Sequence, residues 1–131
     1  MAGVMSILAA CGGADGKSGG PVSTRSGVYS AEQASRGKDI YLAKCSNCHD
    51  MTSHTGATFA KFLAGHRVSE LYQFIGVKMP KNEPGTLSEQ ETADLIAYIL
   101  RLNTMPVGKN ELPADSLALD RIQIDLPKAA N

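Results

Sequence analysis

Five consecutive residues carry most of the chemistry in this sequence: Cys45-Ser46-Asn47-Cys48-His49. C-x-x-C-H is the spacing of a c-type haem attachment. Two thiols three positions apart can each form a thioether to one haem vinyl group, and the adjacent imidazole can then ligate the iron. Cys45 and Cys48 would hold one covalent haem c, and His49 would be its proximal ligand. Other chemistries are less well served. A thioredoxin-like C-x-x-C needs a βαβ context, and no strand–helix–strand pattern flanks these cysteines. A structural zinc site needs four ligands, and beyond the two thiols only His49, His54 and His66 are available. A plain disulfide would leave His49 without a role.

A haem held in this way leaves one axial position to fill. Met51 and His54 follow His49 too closely for the chain to pass round the porphyrin edge. Met79 lies 30 residues beyond His49, with a helix between, and precedes Pro80. Proline holds the preceding residue extended and ends the helix before it. Met105-Pro106 repeats the dipeptide, but it follows the last helix, where Met105 would pack on the helix end. Met79 is the first choice, with Met105 and His66 as alternatives.

These residues need a frame, and the sequence points to helices. Ser30-Ala31-Glu32-Gln33 and Ser88-Glu89-Gln90-Glu91 have capping-box spacing. The first predicts a helix to about Lys44. The second opens a helix with an apolar stripe at Leu95, Ile96, Ile99 and Leu100. A third helix is expected over Val68 to about Val77, with Leu71, Tyr72, Phe74 and Ile75 on its apolar side. A short turn is expected at 58–65, and another near 115–120. Residues 12–29 are rich in Gly and Ser and read as a flexible tether to a haem domain at 30–103. Residues 104–131, with Pro106, Pro113 and Pro127, read as an extension that packs on the domain or docks a partner.

Composition agrees with a small folded domain. Of 131 residues, 43% are hydrophobic and 20% charged, but Trp is absent and aromatics make only 5%. So few large side chains make a weak core for about 75 helical residues, and small domains of this kind usually depend on a staple or cofactor. The 13 basic and 13 acidic residues cancel. Residues 31–103 carry eight of each. No basic surface for nucleic acid is expected.

Residues 31–103 resemble a class I cytochrome c. The likeness rests on Gly37 and Tyr41 in the first helix, the Cys45–His49 motif, Met79-Pro80, and Leu87-Ser88 opening a helix that contains Tyr98. The resemblance implies an all-α fold of three to five helices wrapped on one haem c, with His49 and Met79 as axial ligands. It also implies that the terminal helices cross closely at the glycine. Met79-Pro80, Gly85-Thr86-Leu87-Ser88, Asn103, Pro106, Gly108 and Leu112-Pro113-Ala114-Asp115 resemble more narrowly the cytochrome c subunits of quinoprotein dehydrogenases. One departure stands out. Class I members carry a proline segment after the haem motif whose carbonyl accepts from the proximal imidazole. Here no proline occurs between Pro21 and Pro80, so a different carbonyl must orient His49.

Leu8-Ala9-Ala10-Cys11 resembles a bacterial lipoprotein signal, which implies a lipid at Cys11 and makes residues 1–11 the signal remnant and anchor. The expected function is periplasmic one-electron transfer, without catalysis of its own. A dehydrogenase would be the donor and a cytochrome or terminal oxidase the acceptor. A dedicated haem subunit of a quinoprotein dehydrogenase and a haem-based sensor are the alternatives. Lys78 and Lys81 bracket Met79-Pro80 and are expected at the haem rim, where an acidic partner could dock.

Overall fold

Serine side chains open the two longest helices by accepting backbone N–H groups that a first helical turn leaves unpaired. In the computed structural model, which describes residues 20–126, Ser30 Oγ accepts from the Gln33 N–H at 3.1 Å. This begins α1, Ala31–Lys44. Ser88 Oγ accepts from the Glu91 N–H at 3.1 Å, and the Glu91 carboxylate accepts from the Ser88 N–H at 2.9 Å. That reciprocal box begins α4, Glu89–Leu102. Between them lie α2, Gly56–Leu63, and α3, Val68–Lys78. A single turn, α5, covers Ser116–Leu119. The fold is all-α apart from two residue pairs, with β1, Val22–Ser23, running parallel to β2, Ile122–Gln123. Helix α2 starts two residues before the expected turn.

The first capping box is only half made. Gln33 does not return to Ser30; it is fully buried, and its amide bonds both backbone groups of Leu112 instead. Its Nε2 donates to the Leu112 carbonyl at 3.0 Å, and its Oε1 accepts from the Leu112 N–H at 2.7 Å. A buried amide so satisfied fixes the tail to α1 at no desolvation loss.

Helices α1 and α4 cross at Gly37. A Cβ there would collide with the Asp94 backbone carbonyl. One turn further on, Tyr41 and Tyr98 meet edge to face with ring centroids 5.4 Å apart. At the solvent side of the crossing Arg36 holds Asp94 through two hydrogen bonds of 2.9 and 3.0 Å and reaches Glu111 at 2.9 Å. Burial alone would raise the Asp94 carboxyl, but the bonds from Arg36 and Gln90 outweigh it and hold the group below the usual carboxylate range.

Within the described residues the tether ends earlier than expected. Thr24 and Tyr29 are fully buried, and both bind Met105: Thr24 Oγ1 donates to its sulfur at 3.4 Å, Tyr29 Oη to its carbonyl at 2.6 Å. Residues 22–29 therefore belong to the domain. The C-terminal segment packs on it as well. Leu112, Leu119 and Ile124 are fully buried, each contributing roughly 1.5–3 kcal/mol by leaving water. Ile124 is strapped to the segment before α3 by two 2.8 Å backbone bonds, to the His66 carbonyl and from the Gly65 N–H.

The crossing yields a direct test. Gly37→Ala gains about 1 kcal/mol in helix propensity, while forcing a methyl into a backbone contact costs roughly 1–3 kcal/mol. Because the obstructing atom is a carbonyl and not a flexible side chain, the second effect should win. Denaturant titration of the holo-protein should show net destabilisation, and a larger loss for Gly37→Val.

Candidate functional site

The last turn of α1 tightens into the Cys45–His49 segment. The N–H groups of Cys45 and Ser46 both donate to the Tyr41 carbonyl at 2.9 Å. Those of Cys48 and His49 then donate to the Cys45 carbonyl, at 3.1 and 2.9 Å. The resulting turn puts Cys45 and Cys48 on one wall of a cavity, with His49 beside them. The two cysteines are not joined by a disulfide. Burial raises the Cys45 thiol above its ordinary pKa, opposed by neighbouring Lys44, so it stays protonated at neutral pH.

The cavity measures about 500 Å³, within the roughly 300–1,000 Å³ of cofactor sites. Helices α2 and α3 supply Phe59, Phe62, Leu71, Phe74 and Ile75, and α4 supplies Leu95 and Ile99. Phe62 and Phe74 lie on this wall yet remain 65% and 54% exposed. Phe74, expected on the apolar side of its helix with Leu71, Tyr72 and Ile75, lines the cavity beside Leu71 and Ile75. An aromatic cannot be assigned to core or cofactor wall from helical spacing alone, since both are apolar.

Met79 is on the cavity wall with Pro80 and Lys81. It caps α3 in an extended conformation (φ −119°, ψ 154°), and its N–H donates to the Ile75 carbonyl at 3.0 Å. The other two methionines among the described residues are placed differently. Met105 is 4% exposed, does not line the cavity, and its sulfur accepts from Thr24. The Met51 sulfur accepts from Tyr98 Oη at 3.5 Å. His66 does line the cavity, but its Nδ1 is paired with Glu70 Oε2 at 2.7 Å. That bond is the first cause of a Glu70 carboxyl below its usual range.

The segment after His49 folds into a short 3-10 turn, Met51–His54. Asp50 starts it, with its carbonyl accepting from the Ser53 N–H at 2.9 Å. Asn103, at the end of α4, clasps the far side. Its Nδ2 donates to the His54 carbonyl at 2.7 Å and its Oδ1 accepts from the Gly56 N–H at 3.2 Å. The His54 ring lies 4.8 Å from that of His49, and its Nδ1 is 3.0 Å from Tyr41 Oη. Burial, then proximity to His49, lowers the His54 pKa, which favours a neutral ring. From the sequence, His54 is weighed only as a metal ligand, to iron or to zinc. Its role beside His49 had no signal, because Tyr41 and Asn103 act on it from distant helices.

Of the two rim lysines, Lys81 lines the cavity, whereas Lys78 is exposed at the end of α3 and outside the lining. Lys44 also reaches the cavity but is paired with Glu91 at 3.1 Å. Cys11 lies outside the described residues.

The donor set fits a covalent haem. Two cysteines, a histidine and a methionine line one mostly apolar space of cofactor size. The zinc alternative finds no support, since among the described residues no three His, Cys, Asp or Glu side chains are grouped to hold a metal ion. Helices built round such a site define a c-type cytochrome, with an all-α cytochrome c fold. Residues 32–99 match the family model described as cytochrome c oxidase, cbb3-type, subunit III, and the chain belongs to that family. No curated protein and no solved structure gave a match. A cytochrome c domain implies haem c, electron transfer and redox protein partners.

Replacing Cys45 and Cys48 together with Ser should leave no haem after acid–organic extraction. It should also reduce helicity by circular dichroism, because the apolar cavity wall would face water in a domain already near its stability margin. A well-folded, fully helical apoprotein would contradict this.

Proposed function

We propose that this protein is a periplasmic one-electron carrier, with haem c joined to Cys45 and Cys48 and axially ligated by His49 and Met79. One observation carries the reading: the thiols, the His49 imidazole and Met79 line the same apolar cavity, while Met105 is buried elsewhere. The haem, when bound, supplies the Fe(III)/Fe(II) couple. With His49 and Met79 both committed, no position remains for a substrate, which favours a carrier over a sensor. A thioether ligand raises the potential relative to a second histidine. The apolar walls on α2, α3 and α4 exclude water from the site and raise the cost of the oxidised charge.

Export fits the lipoprotein-like Leu8-Ala9-Ala10-Cys11, and the proposal includes a lipid at Cys11 that keeps the domain at the membrane surface. Among the described residues no helix is long and apolar enough to cross a membrane. A dehydrogenase is the proposed donor, with the quinoprotein class favoured by the narrower sequence likeness. A terminal oxidase is the proposed acceptor, a choice supported by the oxidase subunit named in the family's description.

Met79→Ala tests the ligand. The haem should stay attached, the weak far-red band of Met–Fe(III) should vanish, imidazole should bind readily, and the midpoint potential should fall if nitrogen or water takes the site. An unchanged spectrum, with the band lost in Met105→Ala instead, would refute the assignment.

Docking is the second test. Among the described residues Lys78 and Lys81 make no ion pair, so both charges are available to an acidic partner. Lys78→Glu with Lys81→Glu should slow electron transfer to that partner while leaving the midpoint potential nearly unchanged. The wild-type rate should fall as salt passes about 0.1 M, where screening acts over roughly 10 Å. A rate insensitive to salt and to the double substitution would remove the lysine rim.

A further inference from the structure

A histidine that binds a metal through one ring nitrogen normally donates its other N–H to a fixed acceptor, which sets the ring plane and its basicity. Among the described residues the His49 ring has no hydrogen-bond partner, and no proline follows it before Pro80. The ring set against it is His54, at 4.8 Å between centroids and tilted by 59°.

We propose that His54 is the positioning residue for His49. The two rings are adjacent but not hydrogen-bonded in this structure; with an iron on one His49 nitrogen, His54 Nδ1–H would be held by Tyr41 Oη and its Nε2 would accept from the remaining His49 ring N–H. Three observations support it. His54 is fixed from both ends, with its ring on Tyr41 at 3.0 Å and its carbonyl on Asn103 at 2.7 Å. Tyr41 is itself buried, 1% exposed, and packed edge to face against Tyr98. With Nδ1 taken by Tyr41, Nε2 is the one ring atom of His54 left to accept. The tautomer follows from this arrangement. A Tyr41 hydroxyl donating to Nδ1 would leave Nε2 as a second donor facing a donor, whereas a hydroxyl accepting from Nδ1–H leaves a lone pair there. Asn103 thus acts on the site at one remove, by holding the turn that carries His54.

The proposal rests on His49 as an iron ligand, so the experiment reads both. The holo-protein is compared with His54→Phe, which keeps a ring but no acceptor, His54→Gln, which keeps an acceptor, and Tyr41→Phe, which frees His54 Nδ1. Midpoint potential and solvent exchange of the His49 ring N–H, followed by NMR, are the readouts. His54→Phe should raise the potential, because a less basic imidazole stabilises Fe(III) less. It should also speed ring N–H exchange about tenfold, the order expected for one lost hydrogen bond. His54→Gln should stay near wild type, and Tyr41→Phe should shift the potential in the same direction by less. Wild-type values in both His54→Phe and Tyr41→Phe would overturn the proposal. So would a His54→Gln shift as large as that of His54→Phe, which would mean packing alone. If His54→Phe fails to take up haem, Tyr41→Phe decides, and an unmoved potential there refutes the role of His54. A wild-type protein without a hyperfine-shifted His49 signal would remove the ligation itself, whereas a shifted signal with unmoved variants removes only this proposal.

Discussion

At Gly37 the backbone of α1 runs against the Asp94 carbonyl of α4, closer than any side chain would allow. That contact sets where everything else in the site can be. It brings Tyr41 against Tyr98 one turn later, and α1 then ends in the turn that carries both thiols and His49. From the other helix the same contact directs Leu95 and Ile99 into the cavity and puts Asn103 under the segment after His49. Arg36 and Asp94 lock the crossing on its solvent side. The guanidinium is 45% exposed, so this pair adds less to stability than the packing does. Its main effect is to leave the buried Asp94 carboxylate fully paired.

A chain with no Trp and 5% aromatics cannot close its core with its own side chains, and the structure shows where the deficit falls. Tyr29, Ile96, Leu100, Leu112, Leu119 and Ile124 are fully buried and take no part in lining the cavity. On the thiol side, apolar residues from α2, α3 and α4 face one open volume. Phe62 and Phe74 are more than half exposed there, an unfavourable arrangement in water unless a large planar apolar group covers them. The cofactor and the fold are therefore thermodynamically linked. Covalent attachment, proposed at Cys45 and Cys48, would make that linkage independent of cofactor concentration, unlike reversible binding.

Local features were legible in the sequence because they are decided within a few residues. The C-x-x-C-H motif is one, the serine caps of α1 and α4 are another, and the extended backbone of Met79 before Pro80 is a third. Features set by distant residues were not. Met79 and Met105 share the same dipeptide, and only tertiary structure separates a sulfur on the cavity from one buried under Thr24. Gly and Ser around Val22 and Thr24 give residues 22–29 the composition of a tether, yet Thr24 and Tyr29 pack against Met105. The tail had no periodicity to read, since Leu112, Leu119 and Ile124 are buried one at a time on irregular backbone. Gln33 kept its predicted place after the cap but bonds Leu112, 79 residues away.

The two sides of the site are built from different interactions. The His49 side is polar and heavily cross-bonded, with Asp50 starting the turn, Tyr41 holding the His54 ring and Asn103 holding its carbonyl. The Met79 side is held by backbone conformation and apolar packing: the last bond of α3, the proline that follows, and the phenylalanines alongside. A polar frame resists rotation of an imidazole, whose two nitrogens need distinct partners. A thioether makes only weak hydrogen bonds and has flexible torsions, so its position depends on the backbone that carries it. Each proposed ligand is thus constrained by the kind of interaction its chemistry can use. Under the proposed ligation, supports of this kind would keep both donors in place whichever oxidation state the iron held, and a carrier that does not rearrange on gaining or losing an electron exchanges it with less reorganisation.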